Sequence, residues 1–91
     1  MDTRNTDNNK RIAYINLHPK YDYAMAVLSR CYIDGLMDHI KSCDYLSYEP
    51  KGKVMILKRD GAAVDKFIDY LKENGCRVCI RDNRGDAWEE V

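Results

Sequence analysis

Cys76-Arg77-Val78-Cys79 is the stretch of this chain whose residue types and spacing come nearest to redox or metal chemistry. Two thiols so spaced ligate zinc or cycle through a disulfide when a turn or helix start makes both sulfurs converge, and a zinc site also needs a second ligand pair at matching spacing. Here the pair lies in the run "CRVCIR", which is composed like a strand, and successive strand side chains point to opposite faces. Cys76, Val78 and Ile80 therefore share one face, and Arg77, Cys79 and Arg81 share the other. The two thiols point apart. Cys31 and Cys43 do not supply the second pair, and neither His18 nor His39 has another candidate ligand beside it in the sequence. Both histidines read as cap or surface residues, all four cysteines as small buried hydrophobes, and no metal or cofactor is expected.

Other catalytic constellations are missing as well. No Ser-His-Asp set, paired-acid site or phosphate-cradling loop can be assembled, so an enzyme is not expected. Lys plus Arg number 15 and Asp plus Glu number 15, and this zero net charge argues against broad attraction to nucleic acid or to an anionic membrane. The 91 residues suffice for one small domain with a modest core. No apolar run follows Met1 in "MDTRNTDNNK", which predicts neither a signal peptide nor a transmembrane span, hence a cytoplasmic protein in which structural disulfides are rare.

The elements that must position these residues can be read in order. Residues 1–10 are polar and predict a flexible arm, residues 11–82 the folded domain, and residues 83–91 a polar tail in which Arg84-Gly85-Asp86 reads as a chance motif. "RIAYINLH" predicts a buried strand. Pro19 suits the start of a helix, and Ala24, Val27, Leu28 and Cys31 fall at the offsets of one buried helical stripe, closed by Asp34-Gly35. Residues 36–44 are ambiguous: Leu36, Met37, Ile40 and Cys43 could continue a helix, whereas Leu46 and Tyr48 alternate as a strand does. After a turn at Pro50 and Gly52, "KVMILK" predicts a strand. Asp60 suits a helix cap, Val64, Phe67, Ile68 and Leu71 form a second apolar stripe, and Asn74-Gly75 ends that helix before the last strand.

Strand, helix, strand, strand, helix, strand is the α+β ferredoxin-like βαββαβ arrangement, a four-stranded antiparallel sheet with two helices on one face. The other sheet face is then open and partly apolar. Tyr14, Tyr45, Met55 and Cys79 are its expected association residues, and a homodimer or a separate protein is the expected partner. Trp88, isolated among charges, is expected to dock on the chain's own sheet or on a partner. No aromatic stands in "KGKVMILK", so the base-stacking strand of RNA-recognition modules is not reproduced.

Gly52, "VMIL", Gly61, "FIDYL" and "CRVCI" stand in an order and spacing that resemble the NIL domain, a small ferredoxin-like regulatory module of methionine-importer ATPases, and more distantly the amino-acid-sensing ACT domains. "LSRCYIDGL" and "CDYLSYEPKG" extend the likeness over residues 11–81. The resemblance implies a non-catalytic regulatory or ligand-binding module that dimerises through its sheet. It also implies an amino-acid ligand near the start of the second strand, at Met37, Asp38 and His39. That family generally carries an Asn in this region, and its lack here points away from methionine as the ligand. An interaction or assembly module without a small ligand is the alternative reading, with RNA binding behind it.

Overall fold

Burial that alternates residue by residue builds the centre of the molecule. In a computed structural model, which describes residues 11–59 and 61–91, Ala24 and Ala26 are fully buried while Tyr23, Met25 and Val27 between them are half-buried. That period of two is a strand's. The elements in chain order are β1 (Ile12–Asn16), β2 (Tyr23–Val27), α1 (Leu36–Ser42), β3 (Leu46–Glu49), β4 (Lys53–Leu57), α2 (Ala63–Glu73), β5 (Arg77–Arg81) and β6 (Glu89–Glu90).

The chain is therefore a small α+β protein, but its sheet is six-stranded and mixed, in the order β3-β4-β2-β1-β5-β6. The four-stranded antiparallel ferredoxin-like layout is corrected at its first helix. The stripe through Ala24, Val27, Leu28 and Cys31 fits a helix by spacing, yet the chain there forms β2, paired antiparallel to β1 on one side and to β4 on the other. Small inward residues on a strand leave room for a helix above it, and the large residues between them face outward. Pro19 lies in the β1–β2 connection, where Tyr21 N–H donates to His18 O at 2.9 Å. Lys58 fastens that connection: its backbone N–H donates to Asp22 O at 2.8 Å and its ammonium to the carbonyls of Leu17 and His18. Gly35, expected to close a helix, instead precedes α1 as its N-cap with φ 76°.

The remaining elements follow the sequence reading more closely. Of the ambiguous residues, Leu36–Ser42 form α1 with Cys43 as its extended C-cap, and the alternation of Leu46 and Tyr48 becomes β3. The stripe of α2 is buried at Phe67 and Leu71, with Val64 and Ile68 packed at its margin. The expected cap Asp60 and the expected arm, residues 1–10, lie outside the described residues. At the other end of α2, Cys76 N–H donates to Leu71 O at 3.0 Å and Gly75 N–H to Lys72 O at 3.1 Å, with Gly75 at φ 80°. This is a Schellman close, in which glycine takes the left-handed residue without penalty. Gly52 has a second reason to be glycine. Its φ is 74°, and an added Cβ would come within 3.3 Å of Ser29 Cβ, beside the Leu28 N–H to Gly52 O bond of 2.9 Å.

One face of the sheet carries the core. Ala13, Ile15, Ala24, Ala26, Val54, Ile56 and Val78 meet Ile40 of α1 and Phe67 and Leu71 of α2 in one buried cluster. Polypeptide beyond β5 serves the opposite face. Residues 83–86 turn, with Asn83 N–H donating to Asp86 Oδ2 at 3.0 Å, and β6 then pairs with β5, carrying Trp88 back over the sheet.

Candidate binding site on the open sheet face

Strand register decides which side chains share the helix-free face. Tyr14 pairs with Cys79 and Val27, Asn16 with Arg81 and Met25, Met25 with Met55, and Val27 with Lys53. Paired residues on neighbouring strands point the same way, so these side chains form one surface. Across β1 and β5 it is polar and aromatic. Arg81 Nε donates to Asn16 Oδ1 at 2.5 Å and Nη1 to Asp86 O at 3.4 Å. Its guanidinium carbon also lies 4.1 Å from the centroid of the Trp88 ring, and Trp88 meets Tyr14 edge-on at 4.9 Å between centroids. A planar cation on an aromatic face is held by the ring's quadrupole.

Tyr14, Asn16, Val27, Lys53, Arg81, Arg84 and Trp88 line an open hollow of about 390 Å³. Its lining carries three cations and no carboxylate, beside two aromatic rings and a valine. Such a set can hold an anion through the three cations and pack its body against the two rings. A two-pronged ion pair joins β5 to β6: Arg77 Nη2 donates to Glu90 Oε1 at 2.6 Å and Nε to Glu90 Oε2 at 3.3 Å. Arg77 holds the Glu90 carboxyl below its usual range. On β5, opposite Glu90 of β6, burial and the Glu90 charge push the Cys79 thiol up, so Cys79 is neutral near pH 7.

Of the expected association residues, Tyr14, Met55 and Cys79 stand on this face, whereas Tyr45 packs against the buried core. The expected ligand residues separate. Met37 and Asp38 line a shallow hollow with Tyr32, Asp34 and Leu36, where the charges are acidic. His39 turns away from them, its ring stacked on Tyr70 at 3.6 Å between centroids and 1° between planes. Trp88 covers the chain's own sheet.

Two thiol contacts escape the sequence reading. Cys43 Sγ lies 3.5 Å from His39 Nε2, a neighbourhood that the i, i+4 spacing on α1 would have disclosed. Burial, with the Cys43 and Cys31 thiols nearby, pushes the neighbouring Tyr70 hydroxyl above its usual range, so it too is neutral near pH 7. Cys31 and Cys76, 45 positions apart, bring their sulfurs to 3.4 Å inside the protein. No sequence signal announces that pair, because it depends on where the β2–α1 connection crosses the start of β5. The separation read for Cys76 and Cys79 holds: Cys76 belongs to the core cluster, and Cys79 shares the open face with Tyr14. Among the described residues, no group of three or more His, Cys, Asp or Glu side chains could hold a metal ion.

No family model matches this chain, and no curated protein or solved structure shows significant similarity to it.

Proposed function

We propose that this chain is a non-catalytic binding module of regulatory type, and that its working site is the open-face hollow, which takes a small organic anion with a planar or apolar body. One observation carries the reading: Lys53, Arg81 and Arg84 converge with Tyr14 and Trp88 on a lining without carboxylates. Arginine forks suit carboxylate and phosphate oxygens, and the aromatic walls suit the body of such a ligand. The amino-acid ligand implied by the NIL-like resemblance belongs to the same broad class, but three cations favour a ligand without an ammonium group. The acidic surroundings of Met37 and Asp38 favour this hollow over theirs as the anion site.

A thermal-shift panel of free amino acids, aromatic carboxylates such as indole-3-acetate, mononucleotides and a short single-stranded RNA tests the proposal. A ligand that binds only the folded state adds about 2.7 kcal/mol of stability at a hundredfold excess over its dissociation constant. The expected result is a rise in melting temperature with a compact aromatic anion, lost in Arg81→Gln and weakened in the exposed-site variant Arg84→Gln. A shift that survives both substitutions, or silence across the panel, defeats the proposal.

A second reading, association of two copies through the same face, is favoured by Met25 and Met55. They are register partners beside Tyr23 and Leu57, and no helix covers them. A symmetric dimer would bury that apolar patch against itself. Light scattering at increasing concentration decides it: a mass that stays monomeric removes the dimer.

A further inference from the structure

We propose that Cys31 and Cys76 form a modification site, a buried dithiol that a small hydroperoxide converts reversibly to an intramolecular disulfide. The two sulfurs are 3.4 Å apart, and disulfide formation requires them to close to about 2.05 Å. The backbone around one of them is suited to that shift. Cys31 lies in the turn that follows β2, outside the strand ladder, and its sulfur otherwise contacts Ile12 O at 3.7 Å. Cys76 stands at the junction of α2 and β5, fixed by its N–H bond to Leu71 O.

The environment distinguishes the partners. The sulfur–sulfur hydrogen bond shared with Cys31 and the positive charge of Arg11 lower the Cys76 thiol, against the opposing effect of burial. The same shared hydrogen bond, together with burial, raises Cys31. Cys76 alone of the two retains any solvent access, so it is the thiol that the oxidant meets first. Cys76 is only 4% exposed and Cys31 is fully buried, which selects a small oxidant over a bulky disulfide.

The chemistry balances with a hydroperoxide as the two-electron oxidant. The Cys76 thiolate attacks one peroxide oxygen, the O–O bond breaks, and the leaving oxygen departs as hydroxide, or as alkoxide from an organic peroxide. A sulfenic acid is left on Cys76. Cys31 gives up its proton and attacks Cys76 Sγ, forming the S–S bond and breaking the S–O bond, and the expelled oxygen leaves as water. For hydrogen peroxide the sum is two thiols and one peroxide giving one disulfide and two waters. The bridge ties the β2–α1 connection to the start of β5 across the first residues of β1, whose Ile12 N–H already donates to Arg30 O at 3.2 Å.

The test uses the folded full chain carrying Cys43→Ser and Cys79→Ser, which leaves only the proposed pair. After exposure to hydrogen peroxide and trapping of free thiols, intact mass should show an unalkylated species about 2 Da lighter than the reduced chain, reversible by dithiothreitol. A non-reducing digest should join the peptides containing Cys31 and Cys76, and the oxidised form should melt at a higher temperature. Adding Cys31→Ser should stop the reaction at a dimedone-reactive sulfenic acid on Cys76. The proposal is overturned if both thiols stay alkylatable after denaturation, if the bridge forms only in denaturant, or if only intermolecular links appear.

Discussion

The two faces of the same sheet are built from different residues and are covered to different extents. Under the helices, β1, β2, β4 and β5 present alanine, isoleucine and valine: Ala13, Ile15, Ala24, Ala26, Val54, Ile56 and Val78 are all fully buried. On the other side the same strands present Tyr14, Asn16, Met25, Met55, Arg77 and Arg81, and the chain's own end covers only part of them. Burial on the first face is closed by Phe67 and Leu71 and leaves nothing for a ligand to do. Its counterpart keeps cations and rings together at a half-covered surface, where their interactions can be exchanged for those of a ligand. The two-residue period of the strands thus separates the buried core from the face that carries the proposed site.

That division can be broken most severely from the helix side. Phe67→Ala removes the largest fully buried side chain, and should cost roughly 3–5 kcal/mol in chemical denaturation. For a domain of this size the variant is expected to be largely unfolded at 37 °C. A midpoint equal to the parent's would mean that the α2 stripe does not cap the core.

Overpacking β2 gives a smaller effect and sharpens the comparison within one strand. Ala26→Leu should destabilise by roughly 1–3 kcal/mol, because the inward site is closed. Met25→Thr, one residue away and facing outward, should cost less, since a β-branched residue suits a strand. Were this segment helical, threonine would be the worse tolerated of the two. Equilibrium unfolding of both variants ranks them directly.

Next in size is Trp88→Ala. The Tyr14 contact and the Arg81 stacking together are worth on the order of 1–2 kcal/mol, and their loss should free the chain beyond β5 while leaving the helix-side core folded. Amide exchange should accelerate in β6 and remain slow in β1 and β2. Uniform acceleration across the sheet would contradict the division between faces.

The smallest effect belongs to the ion pair between β5 and β6. Arg77 depresses the folded-state pKa of Glu90, so the pair stabilises β6 fully above the unfolded glutamate value, about 4.3, and that contribution is lost as pH falls through the lower folded value. The pair is exposed to solvent and screened by salt. Acid titration monitored through amide exchange at Glu89 to Val91 should show β6 loosening below that range in the parent. Glu90→Gln should already be loose at neutral pH and insensitive to the same titration.

Much of this arrangement was legible in the sequence, and the misses have physical causes. The alternation in "CRVCIR" placed Arg77, Cys79 and Arg81 on one face, and "KVMILK" was read as a strand with Met55 on the open side. The α2 stripe and its Asn74-Gly75 close were readable because local spacing and capping agree there. The segment around Ala24 was misread because alanine is a strong helix former and the four positions chosen fit a helical stripe, while Tyr23, Met25 and Val27 alternate around it. Pairing with both β1 and β4 overrides that local preference, and tertiary pairing is not written in a five-residue window. The open-face hollow was harder still. It joins β1, β2, β4 and β5 with Arg84 and Trp88, so the sequence hinted at it only through Trp88 and the open-face placing of Tyr14 and Arg81, not through their convergence.

Trp88 is the single tryptophan of the chain and lies in the wall of the hollow, so its fluorescence reports on the proposed site directly. The most direct measurement is a titration of the parent and of Arg81→Gln with whichever aromatic anion raises the melting temperature, following Trp88 emission with the absorbance of the ligand corrected. The account predicts a saturable change in the parent, with a midpoint that matches the thermal shift, moves to higher ligand concentration with salt, and disappears in Arg81→Gln. Thermal stabilisation with unchanged Trp88 emission, or an identical titration in Arg81→Gln, would place the ligand elsewhere and contradict the claim that the open face is the working surface.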